Sequence, residues 1–113
     1  MCNRFLLGSV TLGLLGIFSG CSHNPEKDKQ QYLKSGQRYF ERSQYQEAAI
    51  QYKNAIQIDP RFAEAYFRLG LTYLELQRWQ EAFSALNQTV ELDPARIQAH
   101  LELGKLYLQG RFY

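Results

Sequence analysis

The sequence predicts an all-α fold, a solenoid of stacked antiparallel helix pairs. Three observations carry that reading. The chain repeats itself every 34 residues, its apolar residues recur at helical spacing, and Asp-Pro closes each full period. Gly36, Gly70 and Gly104 are 34 apart, and so are Tyr39, Tyr73 and Tyr107. Asp59-Pro60 and Asp93-Pro94 share the spacing, and Glu47-Ala48 recurs as Glu81-Ala82. Aligning residues 29–62 with 63–96 gives nine identities in 34 positions. A fixed period of this length marks a stacked array in which each unit buries its apolar face on the next.

Each period holds two apolar-periodic segments of helical length, which places helices at about 29–42, 46–58, 63–76, 80–92 and 97–110. The third has Tyr66, Leu69, Gly70 and Tyr73 at i, i+3, i+4 and i+7, one face of a helix. Gly70 has no side chain and lets a neighbouring helix come close. The fourth carries Ala82, Phe83, Leu86 and Val90 at similar spacing. It ends at Asp93, because the residue before a proline is pushed out of the α region. The first and second segments repeat these features through Tyr32, Gly36, Tyr39, Ala48, Tyr52, Ala55 and Pro60. The fifth repeats only the first half, with His100, Leu103, Gly104 and Tyr107.

These residues resemble the tetratricopeptide (TPR) repeat family, whose period is 34. The matching positions are Tyr32, Gly36, Tyr39, Ala48, Tyr52, Ala55 and Pro60, then Tyr66, Leu69, Gly70, Tyr73, Ala82 and Pro94. Leu86 and Thr89 replace the usual aromatic and Ala. The resemblance covers 29–113 and implies about 2.5 units: 29–62, 63–96 and a partial third over 97–113. Ser43, Gln77 and Arg111 stand where the family has Gly, so tighter or more strained turns are expected there. The last helix lacks its partner. Ile97, Leu101, Leu103, Leu106, Tyr107 and Leu108 surround most of it, and Phe112 and Tyr113 follow where the next helix would begin. A natural cap has a polar outer face. The expectation is a truncated array, or a stack completed by a partner, self-association through this helix included.

The chain opens on a different composition. Arg4 is followed by 14 uncharged residues, Phe5 to Phe18. A bilayer-spanning helix needs about 20. A short charged start, a short apolar run and small residues after it describe a secretory signal peptide over 1–20. Ile17-Phe18-Ser19-Gly20-Cys21 resembles a bacterial lipobox. That resemblance implies cleavage before Cys21, lipidation of its thiol with a diacylglycerol, and acylation (palmitate) of the new amino terminus. Phe18 departs from the usual Leu. Stable anchoring needs more than one acyl chain. The resemblance also implies a lipid anchor in the cell envelope facing the periplasm. Ser22 in place of Asp favours the outer membrane. Residues 21–28 read as the lipidated Cys and a short polar tether.

Composition excludes several functions. Thirteen Lys+Arg against 11 Asp+Glu give a formal charge of +2, with no electrostatic footprint for nucleic acid. Two Cys and two His leave little for a metal site or a disulfide scaffold. There is no Gly-rich phosphate loop, no H-E-x-x-H, no C-x-x-C and no nucleophile elbow. No catalytic residue, cofactor or metal is expected. His100 reads as structural, His23 as partnerless, and the glutamates as solvated helix faces.

The predicted function is a membrane-anchored protein–protein interaction scaffold, not an enzyme. The family resemblance places it in envelope assembly, secretion, or exopolysaccharide or pilus machinery. The alternative is the N-terminal part of a longer enzyme or larger TPR protein whose activity lies beyond residue 113. In that family the first helix of each unit lines a concave groove. Counting each period from residue 29, the fifth positions are Leu33, Phe67 and Leu101, and the twelfth are Phe40, Leu74 and Leu108. The ninth adds Gln37, Leu71 and Lys105. The second and thirteenth supply Gln30, Glu64, Gln98, Glu41, Glu75 and Gln109. The expectation is an apolar floor with a mildly acidic edge that holds a protein or peptide ligand.

Overall fold

The computed structural model describes residues 23–110. The expected signal peptide, Cys21, Arg111, Phe112 and Tyr113 lie outside the described residues. Five helices follow in order: α1 (Pro25–Glu41), α2 (Tyr45–Ile58), α3 (Ala63–Glu75), α4 (Trp79–Leu92) and α5 (Ile97–Leu108). Each packs on the next, and α1 also touches α3. The described residues therefore form two rows, with α1, α3 and α5 in one and α2 and α4 in the other.

Four helix starts fall within a residue of expectation. The first begins four residues early, at Pro25, so 25–28 are helix and not tether. The physical reason is local. Asn24 is extended, and its side chain accepts from the N–H groups of Glu26 and Lys27 at 3.1 and 3.3 Å. Pro25 at the first helical position has φ already set and no N–H to orphan. Glu26 and Asp28 add negative charge in the first turn, where the helix dipole favours it.

The turns inside the two hairpins share one geometry. Ser43 and Gln77 both have φ of 58°. The N–H of Gln44 donates to Tyr39 O and that of Ser43 to Phe40 O, each at 2.9 Å. The N–H of Arg78 donates to Tyr73 O at 2.9 Å and that of Gln77 to Leu74 O at 3.0 Å. This is the Schellman pattern, whose left-handed residue is ordinarily Gly. A side chain there costs about 1–2 kcal/mol, so the strain expected from the missing glycines is present. Asp59 and Asp93 end α2 and α4 outside the α region, at φ −133° and −139°, as the following prolines require.

Two apolar clusters form the core. Ala48, Ala49, Tyr52, Leu69, Tyr73, Ala82 and Ala85 join α2, α3 and α4. Phe67, Leu86, Ala99, Leu103 and Leu106 join α3, α4 and α5. Glycine is required where the helices of a pair meet. A Cβ on Gly36 would lie 2.5 Å from Tyr52 Cε1, and one on Gly70 would lie 2.9 Å from Leu86 Cδ2. Burial pushes the Tyr52 phenol up to about 12, so it stays neutral. Thr72 and Thr89, both fully buried, donate to Arg68 O and Ala85 O one turn back, at 2.7 and 2.9 Å. Their hydroxyls therefore cost little to bury.

Candidate interaction surfaces

The candidate groove residues divide into three groups. Phe67 is only 6% exposed and sits inside the second cluster, beneath the Arg96 guanidinium at 4.9 Å from the ring centroid. Leu33, Phe40, Leu71 and Leu74 are half-buried and rest on the clusters. Phe40 also meets Tyr45 edge to face at 5.2 Å. Gln37, Leu101, Lys105 and Leu108 are exposed. Gln37 donates to Glu41 at 3.2 Å and Lys105 to Glu102 at 2.8 Å, both within a helix turn. The α1–α3–α5 row thus offers a half-buried apolar base, with Gln37, Leu71 and Lys105 at equivalent sites along it.

The edge of this row is less solvated than the sequence suggests. Glu64 is not a free surface charge. Its side chain is 27% exposed and pairs with Arg68 at 2.8 Å and Arg96 at 2.7 Å. Arg96 also pairs with Asp93 at 3.2 Å. Burial alone would raise the Glu64 carboxyl, but the two arginines outweigh it and hold it below the usual 4.5. An analogous latch lies one repeat earlier, where Lys29 donates to Asp59 at 2.7 Å and lies over the Phe62 ring at 4.8 Å. Lys29, then the Arg61 backbone N–H, hold Asp59 below 3.8. Both latches tie a first helix to the segment leaving the second helix of the same unit, so each closes one helix pair. No local periodicity signals them, because their partners lie about 30 residues apart.

The histidines also find places. His23 meets Asp28 at 3.0 Å, which corrects the expectation that it has no partner. His100 is exposed, not packed between helices, and its Nε2 lies 2.9 Å from Pro94 O. A polar cavity of about 890 Å³ opens on the outer side of α1 and α2, lined by Gln31, Lys34, Arg38, Gln51 and Asn54 among others. It lies away from the candidate groove. Among the described residues no group of three or more His, Cys, Asp or Glu could hold a metal ion. No described helix is long and apolar enough to cross a membrane.

A family model described as TPR repeat matches residues 36–77, and one described as Tetratricopeptide repeat matches 63–96. The chain carries tetratricopeptide repeats. Such repeats imply a protein–protein interaction scaffold. Two solved structures are similar to it. The first TPR of Spaghetti (RPAP3), bound to the HSP90 peptide SRMEEVD, has a TM-score of 0.49 at 19% identity. That match covers 76% of this chain and 95% of that one. The first TPR domain of the human RPAP3 protein, solved by NMR, has a TM-score of 0.42 at 21% identity over 75% and 93% of the two chains. No curated protein matches the sequence.

Proposed function

We propose that this TPR chain is an interaction scaffold tethered to a bacterial envelope membrane through lipidated Cys21, where its α1–α3–α5 row captures a peptide or helix. One observation carries the capture reading. Gln37, Leu71 and Lys105 occupy the same repeat position on three successive first helices, over a half-buried apolar base of Leu33, Phe40 and Leu74. Such a base suits an amphipathic helix or extended peptide whose apolar side chains anchor between polar contacts. Phe67 supports the floor from beneath and is not a contact.

The anchor reading rests on the sequence pattern of residues 5–21. Asn24 caps the first helix, so Ser22 and His23 alone separate Cys21 from the cap. A tether this short spans less than about 10 Å and holds the domain against the headgroups. The envelope pathway served, whether assembly, secretion or polysaccharide or pilus export, follows from the partner captured.

The two readings are tested separately. Cells expressing the full chain are fed a labelled fatty acid. Label is expected on wild type and lost in Cys21→Ala. An unlabelled wild type removes the anchor. For the groove, a photo-crosslinker is placed at Gln37, Leu71 or Lys105, and at Gln88 or Glu91 on α4. Groove positions are expected to trap one discrete partner that Leu71→Ala with Lys105→Glu loses, and α4 positions are not. Equal trapping from both faces overturns the groove.

A further inference from the structure

We propose that the cleft on the outer side of α1 and α2 binds a short acidic oligosaccharide, whose sugar rings carry hydroxyls and carboxylates. The proposal is independent of the concave row and of the anchor at Cys21.

The cleft has a volume of about 890 Å³ and runs between the two helices of the first unit. From α1 it takes Gln31, Lys34 and Arg38, and from α2 Gln51, Asn54 and Gln57. Each set is spaced by three or four residues, which keeps it on one side of its helix. None of the six makes a hydrogen bond or ion pair with another described residue. Polar groups of α1 outside the cleft are tied down instead. Gln30 donates to Glu26 at 3.4 Å, Gln37 donates to Glu41 at 3.2 Å, and Lys29 pairs with Glu26 and Asp59. Gln51 and Asn54 are half-buried, so they have lost part of their water without gaining a partner in the chain. A ligand that bonds them recovers that loss.

The charge of the cleft is positive. Asp28, the one carboxylate among the described lining residues, meets His23 at 3.0 Å, and Lys34 and Arg38 have no carboxylate partner. The repeat does not dictate these side chains. One period after Gln31, Arg38 and Gln51 stand Ala65, Thr72 and Ala85, all buried. A polar cap explains wet side chains at this end. It does not explain a concave surface with two unpaired cations beside four amides.

The lining selects the ligand by its chemistry. An amide offers two donors and an acceptor, and a sugar hydroxyl uses both kinds. The Arg38 guanidinium matches a carboxylate fork to fork. Lys34, about 6 Å away along the helix axis, holds a second carboxylate as a point charge. Tyr32, 36% exposed, lines the cleft and offers its ring to the C–H face of a sugar. A peptide or helix is a poorer match. Those ligands dock through apolar anchors, and Ile58 is the one aliphatic side chain among the described lining residues.

The test titrates the full chain, in detergent, with fluorescently labelled trigalacturonate, and with maltotriose as the neutral probe. Saturable one-to-one binding of trigalacturonate is expected, at least about tenfold tighter than maltotriose. Lys34→Gln with Arg38→Gln should remove that preference. Gln51→Ala with Asn54→Ala should weaken trigalacturonate at least about tenfold. All four side chains reach the surface, so both double variants should keep the wild-type circular dichroism spectrum. The proposal is overturned if trigalacturonate does not bind, or binds both double variants as it binds wild type. Equal displacement of the sugar by tripolyphosphate or by triglutamate overturns it too, in favour of a general anion site.

Discussion

The two ends of this stack use the same repeat positions and have opposite characters. At the first end, the third, seventh and tenth positions of α1 are Gln31, Ser35 and Arg38. In α3 and α5 those positions are Ala65, Leu69 and Thr72, then Ala99, Leu103 and Leu106, all buried. At the last end, the fifth and twelfth positions of α5 are Leu101 and Leu108, both exposed, whereas Phe67 in α3 is covered. The first end is a polar cap with a side-chain-capped helix, and the last is an apolar face. A repeat position is therefore not intrinsically core or surface. Its energy depends on whether the next element lies against it, as expected of an array stabilised by nearest-neighbour interfaces.

The largest effect that sharpens this contrast compares Phe67→Ala with Leu101→Ala. Removing the buried ring leaves a cavity and costs about 3–5 kcal/mol. Truncating the exposed leucine at the same repeat position costs about 0.5 kcal/mol or less. Urea unfolding of both variants measures the difference, and equal losses would mean that α5 is covered.

The glycines give a test in which the sign itself is informative. Gly36→Ala and Gly70→Ala push a methyl into Tyr52 and Leu86, which costs about 1–3 kcal/mol. That outweighs the gain of about 1 kcal/mol from helix propensity. At Gly104 the gain stands alone, so Gly104→Ala raises the melting temperature. A fall there would break the comparison.

Next comes pH. Glu64 and Asp59 are held below their ordinary values in the fold. Their contribution is fully present above the unfolded values of 4.5 and 3.8 and is lost as pH falls through the lower folded ones. The melting temperature should drop on acidification below that range. Glu64→Gln should cost about 1–2 kcal/mol near neutrality and flatten the acid limb of a Tm-against-pH curve.

The smallest effect concerns the turns. Ser43→Gly and Gln77→Gly relieve a left-handed strain of about 1–2 kcal/mol, and the looser unfolded chain takes back part of it. A net gain of about 0.5–1 kcal/mol each is expected by the same urea experiment.

Much of the fold was legible in the residues themselves. The 34-residue period, the Asp-Pro stops and the misfit at Ser43 and Gln77 depend on backbone sterics within a few residues, which a linear reading captures. The early start of α1 was legible too. Asn24, Pro25 and Glu26 form an N-terminal capping signal that stands outside the 34-residue period, so the repeat itself does not announce it. The candidate site was less legible. Sequence placed Phe67, Leu71 and Leu101 on one helical row without distinguishing them. Only the packing of α4 and α5 around Phe67 made it core, left Leu71 half-buried and left Leu101 exposed. The Glu64–Arg96 and Lys29–Asp59 latches were likewise hidden, since each joins residues about 30 apart that meet only when the two helices of a unit pack together. Periodicity fixes which side of a helix a residue occupies. What that side meets is decided by the neighbouring helix, and for α5 the described residues supply none across Gly104.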